Sequence, residues 1–75
     1  MKSAIDLYVI GKVKARRTEL NLSQAELARL LDVSIGFIGM AESSKYDTRY
    51  NLQHLNKLAD ILKCSPKDFL PDQSI

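Results

Sequence analysis

Catalysis needs a nucleophile beside a base, a pair of placed carboxylates or a cradle for phosphate, and metal binding needs several ligating side chains at short spacing. The 75-residue chain has one histidine, His54, one cysteine, Cys64, and carboxylates scattered singly. No enzyme, no cofactor and no metal site are therefore expected, and an internal disulfide is excluded. His54 reads as structural and Cys64 as a small hydrophobe near a helix end. What is concentrated is positive charge. The formal net charge is only +2, yet Lys12, Lys14, Arg16 and Arg17 cluster early, whereas Asp60, Asp68 and Asp72 lie late. Such asymmetry suits a polyanion at one end of the molecule; a solvated helix face is the competing reading.

Those side chains can act only where the elements hold them. Glycine and proline are scarce, no repeat is visible, and no stretch alternates apolar and polar residues over a strand's length, so the fold class is all-α. A first helix is expected from near Ser3 or Asp6 to about Leu20, with Ile10, Val13 and Leu20 on one face, the arginines opposite or flanking, and Asn21 as a left-handed stop. Ser23 with Glu26 forms a capping box for a second helix that carries Leu27, Ala28 and Leu31 and ends at Asp32-Val33. Ser34 is placed to cap a third helix, 34–42, immediately afterwards. A loop follows, then Asn51 caps a fourth helix with Leu52, Leu55, Leu58, Ala59 and Leu62 on one stripe. Ser65-Pro66 with Asp68 opens a short fifth helix that delivers Phe69 and Leu70 to the core before Pro71 closes it.

The expected organisation is a single domain, 1–75: an extension of helix 1 over 1–9, a five-helix core over 10–70 and a tail over 71–75. A core of this size rarely supplies more than about 3 to 5 kcal/mol, which makes self-association, as a homodimer, an expectation from the start. The nearly continuous apolar run Ala4, Ile5, Leu7, Tyr8, Val9, Ile10 offers either a dimer surface or extra cover for the core. No run approaches the roughly 18 apolar residues of a membrane span, and the lone thiol suits a reducing compartment, so a cytoplasmic protein without membrane contact is expected.

Between Gln24 and Ser43 two short helices must cross around a very tight turn. Ala28 supplies the small side chain needed at the closest approach; Leu27, Leu31, Val33 and Ile38 supply the apolar wedge; Asp32 tolerates the positive φ of the turn. With these residues the sequence resembles the helix-turn-helix domains of phage Cro and repressor proteins, the Xre family. The likeness runs from about Ile10 to Leu70, through VKARRTELNLSQAELARLLDVS, FIGMAES and NLQHLNKLADILKCSPKDFL.

The resemblance implies a compact bundle of five helices, regulation of transcription, most often repression, and a third helix lying in the major groove of double-stranded DNA. It implies that Gln24 clamps a phosphate at the start of the second helix, where free amides and the helix dipole favour an anion. It also implies that Arg17 and Glu42 pair across the first and third helices, although both can instead be solvated. Lys45, Tyr46 and Arg49 fall in the loop that runs along the sugar-phosphate backbone in that family, with Ser23, Phe37 and Ser44 flanking as further phosphate-side candidates. Phe37 reads equally as a half-buried prop between helices 2 and 3. Lys12 and Arg16 either face DNA or form a solvent stripe.

The base-reading face is unusual. With Ile38 and Ala41 inward, helical geometry turns Ile35, Gly36, Gly39 and Met40 outward, and none has a hydrogen-bonding side chain. Only Ser34 at the start and Ser43 and Ser44 at the end keep polar reach. Three explanations stand: Ile35 and Met40 contact thymine methyls while the glycines let the backbone sit deep; the face binds a protein, such as a toxin neutralised by an antitoxin; or discrimination is poor and lysines and arginines hold the DNA.

Overall fold

Each helix begins where a side-chain oxygen takes up an otherwise unbonded amide. In the computed structural model, which describes all 75 residues, Ser3 caps α1 (Ala4–Glu19), Ser23 caps α2 (Gln24–Leu31), Ser34 caps α3 (Ile35–Glu42) and Asn51 caps α4 (Leu52–Ile61). Three of these caps are reciprocal, the third helical residue bonding back to the capping residue's amide: Asp6 to Ser3, Glu26 to Ser23, and His54 through Nδ1 to Asn51 at 3.0 Å. Asp6 and His54 play the part that glutamate usually takes, so Ser3 rather than Asp6 starts the first helix.

Helix ends use the left-handed region. Asn21 (φ 57°) and Asp32 (φ 63°) lie where the sequence placed them, just after α1 and α2, and Lys63 (φ 57°) does the same after α4 without a glycine or asparagine to announce it. The expected fifth helix is instead a single 3-10 turn, Pro66–Phe69, capped by Ser65. Four residues between Ser65 and the extended Leu70 leave no room for an α-helical ladder of i→i−4 bonds. This turn buries Phe69 but leaves Leu70 exposed, contrary to the expectation that both enter the core.

The core runs through all of these elements, with Val13, Leu27, Ile38, Leu58, Leu62 and Phe69 almost wholly removed from solvent. Each such side chain contributes about 1.5–3 kcal/mol on burial. Ile10 and Val13 face inward as expected, but Arg17 occupies the next inward position of α1 and is itself buried. The α4 stripe begins at Leu55 rather than Leu52, which is 79% exposed at the first helical position, where the stripe runs out past the core. The amino-terminal run divides between two environments: Val9 and Ile10 are core, whereas Ile5 and Leu7 remain exposed.

Three helix carboxyl ends meet a cation from another helix or segment. Lys57 Nζ of α4 donates to Leu31 O of α2 at 3.4 Å. Arg16 of α1 donates to Leu62 O and Lys63 O, at 2.9 and 3.4 Å, just past α4. Lys2 donates to Met40 O, Ala41 O and Ser43 O around the end of α3, at 3.3, 2.7 and 2.6 Å. Neither α3 nor α4 has a basic residue in its own last turn, so the cations that complement their terminal carbonyls come from elsewhere in the chain.

Candidate nucleic-acid interface

The turn between α2 and α3 is set by residues that leave little alternative. Asp32 in the left-handed conformation sends its amide back to Arg29 O, and the Val33 amide reaches Ala28 O at 3.0 Å, so the chain reverses within three residues. Ser34 then accepts from the Phe37 amide at 3.0 Å and restarts the helix. Leu27, Ala28 and Leu31 of α2 are buried together with Ile38 and Ala41 of α3, which fixes the roll of α3 about its axis.

That roll exposes Ser34, Ile35 and Gly36 and leaves Gly39 and Met40 half-exposed. Ile35 is 58% exposed, a large apolar side chain held outward at the start of the helix. Neither glycine is demanded by the fold. A Cβ on Gly36 would meet nothing nearer than Ser34 Oγ at 3.8 Å, one on Gly39 nothing nearer than Gln24 Oε1 at 3.8 Å, and neither residue has positive φ. Both distances are ordinary van der Waals contact, so alanine fits at either position.

The same 3.8 Å spacing puts Gln24, the first residue of α2, beside the outward face of α3. Its Nε2 donates to Glu42 Oε1 at 2.9 Å. Glu42 also accepts from Arg17 Nε and Nη2, both at 2.9 Å, in a two-pronged pair whose side chains are only 10% and 4% exposed. Arg17 Nη1 completes its set on Leu22 O at 2.7 Å. Such a pair fixes geometry more than it adds net stability, because two desolvated charges largely offset their own attraction. Here it ties α1, the α1–α2 connection, α2 and α3 to one carboxylate. Ser23 is exposed, but its hydroxyl and amide are both used in the cap with Glu26. The Ser23 amide, then its hydroxyl, hold the Glu26 carboxyl below the usual range.

After α3 the 43–49 loop exposes Ser44, Lys45 and Tyr46. Ser43 Oγ accepts from the Lys45 amide at 3.2 Å, and the Lys45 ammonium has no partner in the chain. Arg49 differs from its loop neighbours. Its Nη1 lies 2.8 Å from Asp6 Oδ2 of α1, and its Nε donates to Asp47 O at 3.1 Å. The amino-terminal ammonium of Met1 pairs with Asp47. Hydrogen bonds from Ser3, with Arg49 adding to them, hold the Asp6 carboxyl below its usual range.

Phe37 is half-buried against the core, as expected, and its ring also faces the start of α4. Its ring centroid lies 5.1 Å from His54 and 6.0 Å from Tyr50. Tyr50 is buried with its hydroxyl unpaired, and burial, reinforced by Glu42, pushes that phenol well above its ordinary value. Lys12 and Arg16 are drawn to the other side of α1. Lys12 stands 5.4 Å over the Tyr8 ring, and both residues line an open cleft of about 440 Å³ with Lys63 and Asp68. Cys64 lies in the same cleft, its thiol pushed up first by burial and then by Asp68.

Gln24 and the outward side of α3 thus border one another, Ser23 adjoins Gln24, and the Ser44–Tyr46 loop continues from the end of α3. Lys2, Asp6 and Tyr50 bear on this region without having been legible as parts of it. Asp6 had a signal in its Ser3-x-x-Asp6 spacing, whereas Lys2 had none, since its partners lie 38 to 41 residues away.

Two short helices around a left-handed residue, the second capped and rolled outward beside the free end of the first, define a helix-turn-helix DNA-binding domain. A helix-turn-helix family model matches residues 13–69, and the chain belongs to that family, of the Xre type. Among solved structures, a hypothetical transcription factor, NHTF, from Neisseria matches with a TM-score of 0.76 at 19% identity, over 89% of this chain and 75% of that one. Cobalt(II) HppE in complex with substrate matches with a TM-score of 0.76 at 22% identity, over 91% of this chain but only 37% of that one. At these identities both likenesses are likenesses of fold. No curated protein matches the chain. No helix is long and apolar enough to cross a membrane.

Proposed function

We propose that this DNA-binding regulator represses transcription by inserting α3 into the major groove, with Ser34, Ile35, Gly36, Gly39 and Met40 on the base side. Gln24 and Ser23 at the start of α2, Phe37 behind α3, and Ser44, Lys45, Tyr46 and Arg49 in the loop would hold phosphates and sugars. Ile35 and Met40 suit thymine methyls, and Ser34 is the polar reader at the helix start. The single observation that carries this reading is the pair of outward glycines, which the free protein does not need sterically and which allow close approach of a partner's surface. Two copies on a two-fold site would double the contacts of so small a domain.

Two of the phosphate candidates already hold a carboxylate in the free protein. Gln24 Nε2 spends one of its two N–H groups on Glu42, which also holds both Arg17 bonds, and Arg49 spends Nη1 on Asp6, so each can turn a remaining donor to a phosphate or give up its carboxylate. Exposed Lys45 holds none. The test is selection of bound duplexes from random DNA followed by binding measurements over a range of salt. A selected sequence of half-sites about one helical turn apart, with affinity falling steeply in salt, is expected.

A second reading has one observation in its favour: Ile35 is a large exposed apolar side chain beside the half-exposed Met40. A protein partner, for instance a toxin held by this chain as its antitoxin, would bury that face. Selection that returns no enriched sequence, together with a stoichiometric protein bound over Ile35, would favour the partner.

A further inference from the structure

We propose that Lys2 is a positioning residue for the presented helix: its ammonium closes the carboxyl end of α3 and ties that end to the first residue of the loop that follows.

The geometry is specific. An ammonium has three donors, and Lys2 spends all three on carbonyls of one short stretch: Met40 and Ala41 in the last turn of α3, and Ser43 at the start of the loop. α3 is eight residues long and has no basic residue in its last turn, and the side chain of its terminal Glu42 is turned away into the pair with Arg17. Its amino end is capped by Ser34 without a reciprocal partner, because the third helical position is Phe37. Lys2 is therefore the one side chain that takes up terminal carbonyls of this helix.

Two further contacts follow the same path. The Met1 ammonium pairs with Asp47, and Asp6 pairs with Arg49, so residues 1–6 run beside the loop and touch it at successive points. Lys2 and Asp6 both lie outside the stretch matched by the family model, residues 13–69. Lys2 bonds to the backbone and not to any outward side chain of α3, so its effect on a ligand is indirect. It sets the last turn of α3 and the departure of the Ser44–Tyr46 segment, and thereby where Met40 and Lys45 stand.

The test uses the full chain carrying Lys2→Gln, Lys2→Arg as the conservative variant, and Lys45→Gln as a comparison. In the free protein, Lys2→Gln is expected to shift the amide signals of Ala41, Glu42 and Ser44, the peptide groups whose carbonyls Lys2 holds. Exchange of the Glu42 and Ser43 amides should speed up about tenfold, with α2 and α4 unchanged; Lys2→Arg should restore most of it. On a duplex, which rests on the function proposed above, Lys2→Gln should weaken binding about three- to tenfold with the same salt slope, whereas Lys45→Gln should make the slope shallower by about one.

Unchanged α3 shifts and exchange in Lys2→Gln would overturn the proposal. A slope shallower by about one for Lys2→Gln would overturn it in favour of direct phosphate contact. Equal acceleration of exchange in every helix would reduce Lys2 to a general stabiliser. If the unsubstituted protein binds no duplex, the DNA reading fails, and the exchange data on the free protein still decide the role of Lys2.

Discussion

Replacing both outward glycines of α3 with alanine should make the protein more stable and a poorer DNA binder at the same time. Glycine within a helix costs about 0.5–1 kcal/mol relative to alanine, because more backbone freedom is lost on folding. The new methyl groups meet only Ser34 Oγ and Gln24 Oε1, each at 3.8 Å, so nothing in the free protein offsets the gain. Gly36→Ala with Gly39→Ala should therefore add about 1–2 kcal/mol, and each kcal/mol raises the melting temperature of a domain this size by about 4–8 °C. If base edges approach the α3 backbone at these points, each methyl overpacks a close contact at a cost of about 1–3 kcal/mol. Since 1.4 kcal/mol is tenfold in affinity, the double variant should bind its selected duplex at least about tenfold more weakly. Thermal unfolding by circular dichroism and fluorescence anisotropy on the same preparations read the two effects separately. A double variant that gains stability and binds as tightly as the original would refute the close-approach argument. A loss of stability would refute the premise that the fold leaves room for the methyls.

Three other outcomes follow from the site. Arg17→Met alone strands the Glu42 carboxylate in the core and should cost about 3–5 kcal/mol, whereas Arg17→Met with Glu42→Met should recover most of the loss; urea unfolding of both variants measures the difference. Lys45→Gln should leave stability within about 0.5 kcal/mol while lowering affinity for all duplex sequences alike, which titrations on specific and unrelated DNA will show. The Asp6 carboxyl is held below its ordinary 3.8, so its contribution to stability is complete above that value and is lost as pH falls through the lower folded one. Asp6→Asn should accordingly flatten the acid limb of the stability profile and, by releasing Arg49, strengthen DNA binding at neutral pH, as acid titration and anisotropy can establish.

The parts of the fold that sequence revealed were those governed by local chemistry. Serine or asparagine three residues before a bonding partner announces a helix start, and Asn21 and Asp32 stood out as residues that tolerate positive φ. The inward roll of α3 followed from Ile38 and Ala41 in the same way. What escaped detection depends on distant partners. A lysine at position 2 gives no hint that it will bond to residues 40, 41 and 43. The Arg17–Glu42 pair, 25 residues apart, was legible only through the family resemblance, since an arginine on α1 looks solvated from its own neighbours in sequence. The fifth helix was over-read because cap, proline and acid mark the start of a 3-10 turn as well as that of an α-helix. As cations of one loop Lys45 and Arg49 read alike in sequence, yet Lys45 is free and Arg49 is engaged.

The crossed capping of helix ends bears on how the domain comes apart. Lys2 and Arg16 sit on or beside α1 and finish α3 and α4, while Lys57 of α4 finishes α2. A helix that borrows its terminator from another cannot fray alone without breaking a contact that belongs to its neighbour. The last amides of each helix should therefore be governed by its own borrowed cation, those of α3 by Lys2, those of α4 by Arg16 and those of α2 by Lys57. In such a domain the DNA-facing helix is kept in order at its carboxyl end by a cation from the amino-terminal segment of the chain.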